Sequence, residues 1–295
     1  MEAFRIVKKE RIFIWACKVI TLLAVSFLFF IFLFIAKESF SFFQKTSLLA
    51  FLTGSRWNPI VDPPAFGLMP MICATVYVSL LATVIALPVG IGTAVFLSVS
   101  APRNIQRTLL PFIDLMAGIP SVVYGFVGLM VIVKFFEVRF SWSSGESVLA
   151  GGILLAIIIL PYIVSTCYES MIKILHHYEQ TSRALGVSKW HMTRYLVIPS
   201  AKKAILAALI LSFSRAMGET MAVMMVIGNS PIFPSLFHKA ETIPALIALE
   251  MGGAAVGSLH YQSLFAAGFI LMIVLFVFNS FFFIIRKHIG EGIKW

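Results

Sequence analysis

The chain has 295 residues, of which 60% are hydrophobic and 12% are charged, and its mean hydropathy is +0.97. Water-soluble domains carry about 25% charged residues, so this composition excludes a cytosolic enzyme, a disordered chain and a secreted disulfide-bonded scaffold. The formal net charge of +10 does not require nucleic acid as a partner, because lysine and arginine accumulate in the cytoplasmic loops of membrane proteins.

Six segments of the chain are apolar over the length of about 20 residues that a helix needs to cross a bilayer. They cover residues 12–36, 71–99, 109–133, 148–168, 204–227 and 261–285. We therefore predict an all-α integral membrane protein with six transmembrane helices. The first segment is too long for a cleavable signal peptide and no small-residue cleavage site follows it, so we expect it to be retained.

The distribution of lysine and arginine predicts the orientation of these helices. Sixteen of the 23 basic residues lie on the side that holds both termini, the turn between the second and third helices and the 169–203 connection. Six lie on the other side. The positive-inside rule therefore places both termini in the cytoplasm of a multi-pass protein of the cell inner membrane.

The connections between the predicted helices differ in character. Residues 37–70 form an external segment with three prolines, for which we predict irregular structure. Residues 243–251, in the second long external segment, are predicted to form a short amphipathic helix near the membrane interface. The cytoplasmic connection 169–203 is polar yet helical in pattern, and a chain that only turned round would need few residues there. Its length therefore predicts a docking surface.

This cytoplasmic connection contains the first specific motif, a helix, a glycine and a second helix that ends in proline. The run QTSRALG at 180–186, followed by LVIP at 196–199, resembles the EAA loop of ABC importer permeases. Four residues fall in register with that pattern: Gly186, Leu196, Ile198 and Pro199. Gly186 allows a sharp turn, and Pro199 ends the segment before the next membrane helix. An ordinary amphipathic connector is the alternative interpretation.

The resemblance implies that a coupling loop at 169–199 docks in a groove of a separate ATPase subunit. The residues assigned to this contact are Glu179, Gln180, Ala184, Gly186 and Pro199. The triplet at 180–182 departs from the Glu-Ala-Ala that is usual in the family, and Glu179 lies one place early. The departure concerns the polar contact rather than the docking helix.

The fifth apolar segment contains two charged residues, Arg215 and Glu219, which are four positions apart and so share one face of a continuous helix. Arg215 lies about 22 Å along that helix from its cytoplasmic end, and an arginine at such a depth costs on the order of 3 kcal/mol. Either the two residues form a structural ion pair, or they line a polar path. A guanidinium suits an anion path, because its fixed fork of donors matches an oxyanion.

The sequence around these residues resembles the phosphate importer permeases of PstC type. The matching stretches are AGIPSVVYG at 117–125, SRAMGETMAV at 214–223 with IGN at 227–229, and IALEMG at 247–252. The Thr-Met-Ala-Val ending of the second stretch is similar to PstC, whereas the PstA partner more usually reads Thr-Ala-Pro-Leu. The resemblance places Arg215 and Glu219 in the translocation path. Arg215 would contact the phosphate oxygens, and Glu219 would balance the charge so that the anion is released.

The resemblance also implies the domain organisation and the partners. The fold is that of a type I ABC importer permease (MetI-like), with its core at 71–285. Residues 1–70 hold a cytoplasmic N-terminus, the first membrane helix and an external loop, and residues 286–295 form a cytoplasmic tail. The implied partners are a second permease of PstA type, two ATPase subunits of PstB type, an extracytoplasmic phosphate-binding protein and membrane lipid. ATP and Mg²⁺ belong to the ATPase.

Glycine and proline mark places where the membrane helices are expected to break or to approach each other closely. We assign this role to Gly118, Pro120 and Gly125 in the third helix and to Gly218 in the fifth. Asp114 lies near the start of the third helix, where it can reach the cytoplasmic interface, although a role in the path is the alternative.

The sequence contains no nucleotide-binding loop of the form GxxxxGK[ST], no catalytic triad and no cluster of metal ligands. We therefore predict that the chain is not an enzyme, holds no metal or cofactor, binds no nucleic acid and depends on a partner ATPase. Two other functions remain open. The same machine could carry molybdate, tungstate or sulfate, or the chain could be an ion-coupled secondary transporter or a channel. The last class predicts inverted repeats and more intramembrane acidic residues.

Overall fold

The computed structural model describes residues 2–140 and 144–291, and it describes side chains over 13–140 and 144–285. The first half of the chain contains α1 (Glu2–Phe43), α2 (Leu48–Thr53), β1 (Trp57–Asn58), β2 (Ala65–Phe66), α3 (Met69–Val95), α4 (Arg103–Gly118), α5 (Ser121–Val127) and α6 (Lys134–Phe140). The second half contains α7 (Val148–Ala184), α8 (Lys189–Met192), α9 (Ile198–Ser200), α10 (Lys202–Met217), α11 (Met221–Ile227), α12 (Ile243–Glu250) and α13 (Leu259–Glu291). Three π-helical segments continue neighbouring helices: Phe96–Ser100, Gly128–Val133 and Thr193–Val197.

Five helical stretches among the described residues are long and apolar enough to cross a membrane. They are Phe13–Phe43, Met69–Ser100, Ser121–Phe140, Val148–Ala184 and Leu259–Ile285. A sixth crossing results if Lys189–Ser200 and Lys202–Met217, which meet at a bend of 59°, count as one span. The all-α membrane class is confirmed, with six crossings on that count.

The third predicted helix, 109–133, is wrong as a single element. α4 ends at Gly118, and the next two residues, Ile119 and Pro120, are extended, with ψ angles of 130° and 136°. Pro120 has no amide hydrogen to donate, and its ring disfavours helical geometry at Ile119. The stretch that can cross the membrane therefore begins only at Ser121.

The fifth predicted helix, 204–227, is also interrupted. α10 ends at Met217, and the three residues 218–220 separate it from α11. Gly218 stands at this point, and glycine is a poor helix former because its backbone loses the most conformational freedom on folding. Glu219 therefore does not continue the helix that carries Arg215, which corrects the expectation of one shared helical face.

α7 is the central helix of the core and runs unbroken for 37 residues, with Pro161 inside it. It packs against α3, α4, α10 and α11. The buried surface that α3 presents is rich in small residues, including Ala74, Ala82 and Ala86. Such residues let membrane helices approach closely. Gly90 of α3 shows this most clearly, because a Cβ built on it would lie 2.6 Å from Cγ2 of Ile163.

We expect Gly90→Ala to lower the free energy of unfolding by about 1–3 kcal/mol, because the new methyl group overpacks the contact between α3 and α7. Gly92→Ala is the matched control in the same helix, since a Cβ there meets nothing within 4 Å. We expect it to be neutral or slightly stabilising. The midpoints of thermal unfolding in detergent compare the two variants. Equal midpoints would show that Ile163 moves aside without cost.

α1 lies at the edge of the molecule. It packs against α13, where the ring centroids of Phe34 and Phe265 are 5.5 Å apart and those of Phe32 and Phe269 are 6.2 Å apart. Most of its other apolar side chains are exposed on this chain. An exposed apolar surface of this extent marks a face that contacts lipid or another membrane subunit.

The external segment 37–70 is folded, which corrects the prediction of irregular structure. α1 extends to Phe43, α2 follows, and β1 pairs antiparallel with β2. Four aromatic side chains contact one another there: Phe42, Phe51, Trp57 and Phe66. They form a buried cluster with residues of α12 and α13. Burial of large aromatic surface stabilises the segment despite its prolines.

α12 corrects a second expectation. Its first four residues are buried, and Thr242 caps its N-terminus by accepting a hydrogen bond from the amide of Ala245. The helix packs against α3, α11 and α13 instead of lying along the membrane interface with a free polar face. The first half of α12 therefore belongs to the core, while Ala248 and Leu249 in its second half stay exposed.

α13 continues to Glu291, beyond the predicted end of the last membrane helix at 285. The first part of the predicted tail, 286–295, is therefore helical, and its last four residues lie outside the described part of the chain. The side chains of residues 1–12 and 286–295 also lie outside it, and they include basic residues on which the predicted orientation depends.

Candidate functional site

The two breaks in the membrane helices are followed by two short helices that contact each other. α5 follows the break at Ile119 and Pro120, α11 follows the break at 218–220, and the two pack together. A Cβ on Gly125 of α5 would lie 2.7 Å from the sulfur of Met225 and 3.1 Å from Cα of Ala222. The absence of a side chain at Gly125 therefore permits this contact.

Gly118 and Gly218 have a different environment from Gly125. A Cβ on Gly118 would meet nothing within 4 Å, and one on Gly218 would meet only backbone carbonyls of α10 at 3.8 and 3.9 Å. Both residues stand where a helix ends. These two positions therefore do not need glycine for close packing. Gly118 is the last residue of α4, and Pro120 lies in the first break.

Two tyrosines donate hydrogen bonds to carbonyl groups in the last turn of α4, beside the first break. The hydroxyl of Tyr124 donates to the carbonyl of Met116 at 2.9 Å, and that of Tyr162 donates to the carbonyl of Ala117 at 3.2 Å. The last carbonyls of a helix have no partner within the helix itself. These tyrosines, one from α5 and one from α7, supply partners at the end of α4.

Arg215 lies in the last turn of α10, thirteen residues after its first residue, and so about 20 Å along the helix. Its side chain is exposed on this chain. The guanidinium carbon lies 4.4 Å from the centroid of the Tyr162 ring, a cation–π contact. An arginine this far along a membrane helix is costly to expose to lipid, so we expect it to face a polar path or another subunit.

Glu219 lies in the second break and is half-buried. Its carboxylate accepts a hydrogen bond from the amide of Ala222 at 3.5 Å, at the start of α11. Among the described residues, no ion pair joins Glu219 to Arg215. The structural ion pair considered from the sequence is therefore not formed, and the guanidinium keeps its donors.

Asp114 lies on the exposed side of α4, beside the first break. It borders a cleft of about 760 Å³ that extends to Leu115, Gly118 and Pro120. The cleft is open and its walls are mostly apolar, and Asp114 is the one charged residue among those that line it. Arg215 does not line this cleft, so the described geometry does not bring Asp114 and Arg215 into one site.

The 169–203 connection contains the sharp turn that the motif predicts. α7 ends at Ala184, and Gly186 adopts a φ of +67°, which residues with a side chain rarely adopt. Glu179 forms an ion pair of 2.5 Å with Arg183, one turn further along α7. Gln180 and Ala184 are exposed on the same helix end.

After this turn the chain forms a short helical segment, Lys189–Ser200, that meets α10 at an angle of 59°. Ser188 caps its start by accepting a hydrogen bond from the amide of His191. Pro199 lies next to the bend, two residues before Ala201. The segment is therefore separate from the membrane helix that follows, and its orientation is set by contacts of its own.

Large apolar side chains are exposed in the turn and on this segment, and the sequence analysis did not single them out. Leu185 is 74% exposed and Trp190 is 69% exposed. The arrangement suits docking, because exposed tryptophan on a polar surface is typical of an interface residue. Trp190 is the one tryptophan in the 169–203 connection, and this was the signal that could have identified it from the sequence.

A second polar cluster, where β1 meets the ends of α12 and α13, was also missed. The carboxylate of Glu250 accepts a hydrogen bond from the indole of Trp57 at 3.0 Å and lies 2.7 Å from Nε2 of His260. Glu241 lies close by, is only 4% exposed, and lines the same cleft. Burial, together with the charge of Glu250, raises the pKa of Glu241 to about 7. Nothing in the spacing of these residues along the chain indicates that they meet.

Up to six crossings, two interrupted helices beside an exposed arginine, and a helical connection with exposed apolar side chains are typical of a membrane transport subunit that works together with other chains. The chain belongs to the family of binding-protein-dependent transport system inner membrane components, whose profile matches residues 86–295. Members of this family are permease subunits of ABC importers, which act with an ATPase and a substrate-binding protein.

Several relatives match this chain over most of its length. The probable ABC transporter permease protein YqgH of Bacillus subtilis is 37% identical over 271 residues, which are 92% of this chain and 87% of that protein. The phosphate transport system permease protein PstC of Mesorhizobium japonicum is 37% identical over 77% of this chain and 75% of its own length. The probable PstC of Methanocaldococcus jannaschii is 33% identical over 89% and 90%.

A solved structure supports the fold. The inward-facing MetNI methionine ABC transporter aligns with a TM-score of 0.59 at 16% identity, over 75% of this chain and 95% of that one. At this identity the match concerns the fold alone. The predicted MetI-like permease fold is confirmed.

Proposed function

We propose that this chain is a permease subunit of an ATP-driven phosphate importer and forms half of the translocation path. The observation that carries the proposal is Arg215, which is exposed on this chain near the end of α10, next to a helix break, and has no carboxylate partner among the described residues. A guanidinium in a water-poor site binds an oxyanion through two parallel hydrogen bonds. The relatives named as phosphate transport permeases support phosphate as that oxyanion.

Glu219 limits how tightly such a site holds its ligand. Its carboxylate lies in the break only four positions from Arg215 and repels an approaching anion, so that the attraction of Arg215 is partly offset. A transport site has to bind and then release its substrate. We therefore assign Arg215 to binding and Glu219 to release.

The remaining half of the path and the source of energy belong to partners. A second permease of PstA type would face the exposed surface around α5 and α10, and two ATPase subunits of PstB type would dock on the segment from Leu185 to Ser200. An extracytoplasmic phosphate-binding protein would deliver the ligand to the side that carries β1 and β2. ATP and Mg²⁺ would bind to the ATPases, and this chain would hold no cofactor. Both termini would then be cytoplasmic.

Movement of the docking segment couples ATP hydrolysis to transport. The segment leads into α10 across the 59° bend, and α10 carries Arg215 near its other end. When the two ATPases close, they would pull this segment and the end of α7 together. The two permeases would then rock between outward- and inward-facing states around the site.

The test is uptake of labelled phosphate at low external concentration by cells that lack only this chain, with and without its restoration. Sulfate and molybdate are present as competitors. We expect uptake to return with the chain and to resist both competitors. Restoration of sulfate or molybdate uptake instead would keep the importer and overturn phosphate as its substrate. Uptake that persists without ATP would contradict the importer itself.

A further inference from the structure

The partner of Arg215 is an aromatic ring, although a carboxylate stands four positions away in the sequence. The guanidinium carbon lies 4.4 Å from the ring centroid of Tyr162, on the neighbouring helix α7. We propose that Tyr162 is a positioning residue that orients Arg215 for binding of the transported oxyanion. This proposal rests on the proposed function, in which Arg215 contacts the anion.

The two possible kinds of partner would leave Arg215 in different chemical states. A carboxylate pairs with the edge of the guanidinium and occupies the same fork of N–H donors that an oxyanion needs. An aromatic ring attracts the cation through the negative potential of its face. The contact with Tyr162 therefore holds the guanidinium electrostatically and leaves its hydrogen-bond donors for the ligand.

Glu219 is placed so that it does not pair with the guanidinium of Arg215. The break at 218–220 takes Glu219 off the helix that carries Arg215, and its carboxylate faces the amide of Ala222. Arg215 and Glu219 are not in ion-pair contact among the described residues. Tyr162 thus supplies the attraction that keeps Arg215 in place, and the anion meets a site that is still positive.

The Tyr162 ring is itself fixed at its far end. Its hydroxyl donates to the carbonyl of Ala117, in the last turn of α4, at 3.2 Å. The ring is half-buried and follows Pro161 directly in α7. Three elements therefore meet at this one side chain: α7 carries it, α4 accepts its hydrogen bond, and α10 presents the arginine.

The experiment measures labelled phosphate uptake by the complete importer in cells, with the amount of assembled complex determined for each variant. We expect Tyr162→Leu to lower the maximal rate about tenfold, because the cation–π attraction is lost. Tyr162→Phe keeps the ring and is expected to stay within about threefold of the wild type, since only one neutral hydrogen bond is removed. The KM for phosphate should hardly change, because it is set by the binding protein that captures the anion.

A second series separates orientation of the arginine from mere filling of space. Tyr162 is replaced through amber suppression by phenylalanine analogues that carry one, two or three fluorine atoms, and each variant is compared with Tyr162→Phe. Each fluorine weakens the negative potential of the ring face while the ring keeps nearly the same shape. We expect the uptake rate to fall stepwise along the series. A structural role predicts equal rates for all members.

Arg215→Ala is measured in the same cells and separates the two proposals. If Arg215→Ala is inactive while Tyr162→Leu and the trifluorinated variant transport at the wild-type rate, the positioning role is overturned and the proposed function stands. If Arg215→Ala transports normally, the anion site itself is overturned. If the Tyr162→Leu importer does not assemble, the fluorinated series alone tests the proposal. Equal uptake rates along that series would then overturn the positioning role.

Discussion

Replacing Arg215 with alanine is expected to reduce phosphate uptake at least about a hundredfold. Arg215 can donate two hydrogen bonds to an oxyanion, and each bond to a charged group contributes about 1.5–3 kcal/mol. Because about 1.4 kcal/mol corresponds to a factor of ten in rate, two such bonds account for the expected loss. Arg215→Lys keeps the charge but not the fork of donors, so we expect an intermediate rate.

The control for this prediction is Arg139→Ala, which removes an exposed arginine at the far end of α6. It should leave the uptake rate close to that of the wild type, because no described contact links Arg139 to either helix break. Normal transport by Arg215→Lys would refute the argument from the fork of donors. Normal transport by Arg215→Ala would refute the proposal that Arg215 belongs to an anion site.

Replacing Trp190 with alanine is expected to weaken binding of the ATPase subunits about thirtyfold or more. An exposed tryptophan that enters a groove of a partner contributes about 2 kcal/mol or more to an interface, and a factor of ten in affinity corresponds to about 1.4 kcal/mol. Phosphate uptake should fall with it, because the motion of the ATPases no longer reaches the docking segment. The measurement is the affinity of the purified ATPase for the permease in detergent.

Trp15→Ala is the matched control for Trp190→Ala. Both tryptophans are 69% exposed, but Trp15 lies on α1, in the first membrane span. Loss of affinity with Trp190→Ala and none with Trp15→Ala would assign the effect to the docking segment. An undiminished affinity with Trp190→Ala would show that the ATPase binds elsewhere.

The class of fold was accessible from the sequence because hydrophobic length is the dominant constraint on a membrane helix. The spans that became α1, α3, α7 and α13 were predicted as such, since nothing interrupts them except prolines that a bundle tolerates. The turn at Gly186 was predictable for a similar reason, because a glycine within a polar helical pattern has few other roles.

Breaks inside apolar segments were harder to place. A hydropathy pattern is identical for a continuous helix and for two short helices joined by two or three residues, so Gly118, Pro120 and Gly218 marked candidate breaks without showing that the helices are fully interrupted there. The consequence was large at Arg215, because a spacing of four predicts contact with Glu219 only along a continuous helix. In the structure Arg215 instead contacts the ring of Tyr162, which lies 53 positions earlier in the chain.

Contacts between distant parts of the chain could not be predicted from one sequence. Trp57, Glu250 and His260 form one hydrogen-bonded cluster although 193 positions separate the first two. The external segment likewise acquires its order from aromatic packing onto α12 and α13 rather than from its own propensity. In both cases the partner that stabilises a residue is set by the packing of helices, which local pattern does not encode.

The unbroken length of α7 has a mechanical consequence. From Pro161 to its end at Ala184, just before the turn at Gly186, the helix measures about 35 Å, at a rise of 1.5 Å per residue. A swing of about 5° around Pro161 would displace its cytoplasmic end by about 3 Å by the same geometry, while Tyr162, next to the fulcrum, would shift by only a small fraction of that. If the ATPase docks at this turn and the anion binds at Arg215, as proposed, α7 acts as a lever with the ATPase at its long arm and the anion at its short arm. A large displacement at the turn would then become a small adjustment around Arg215.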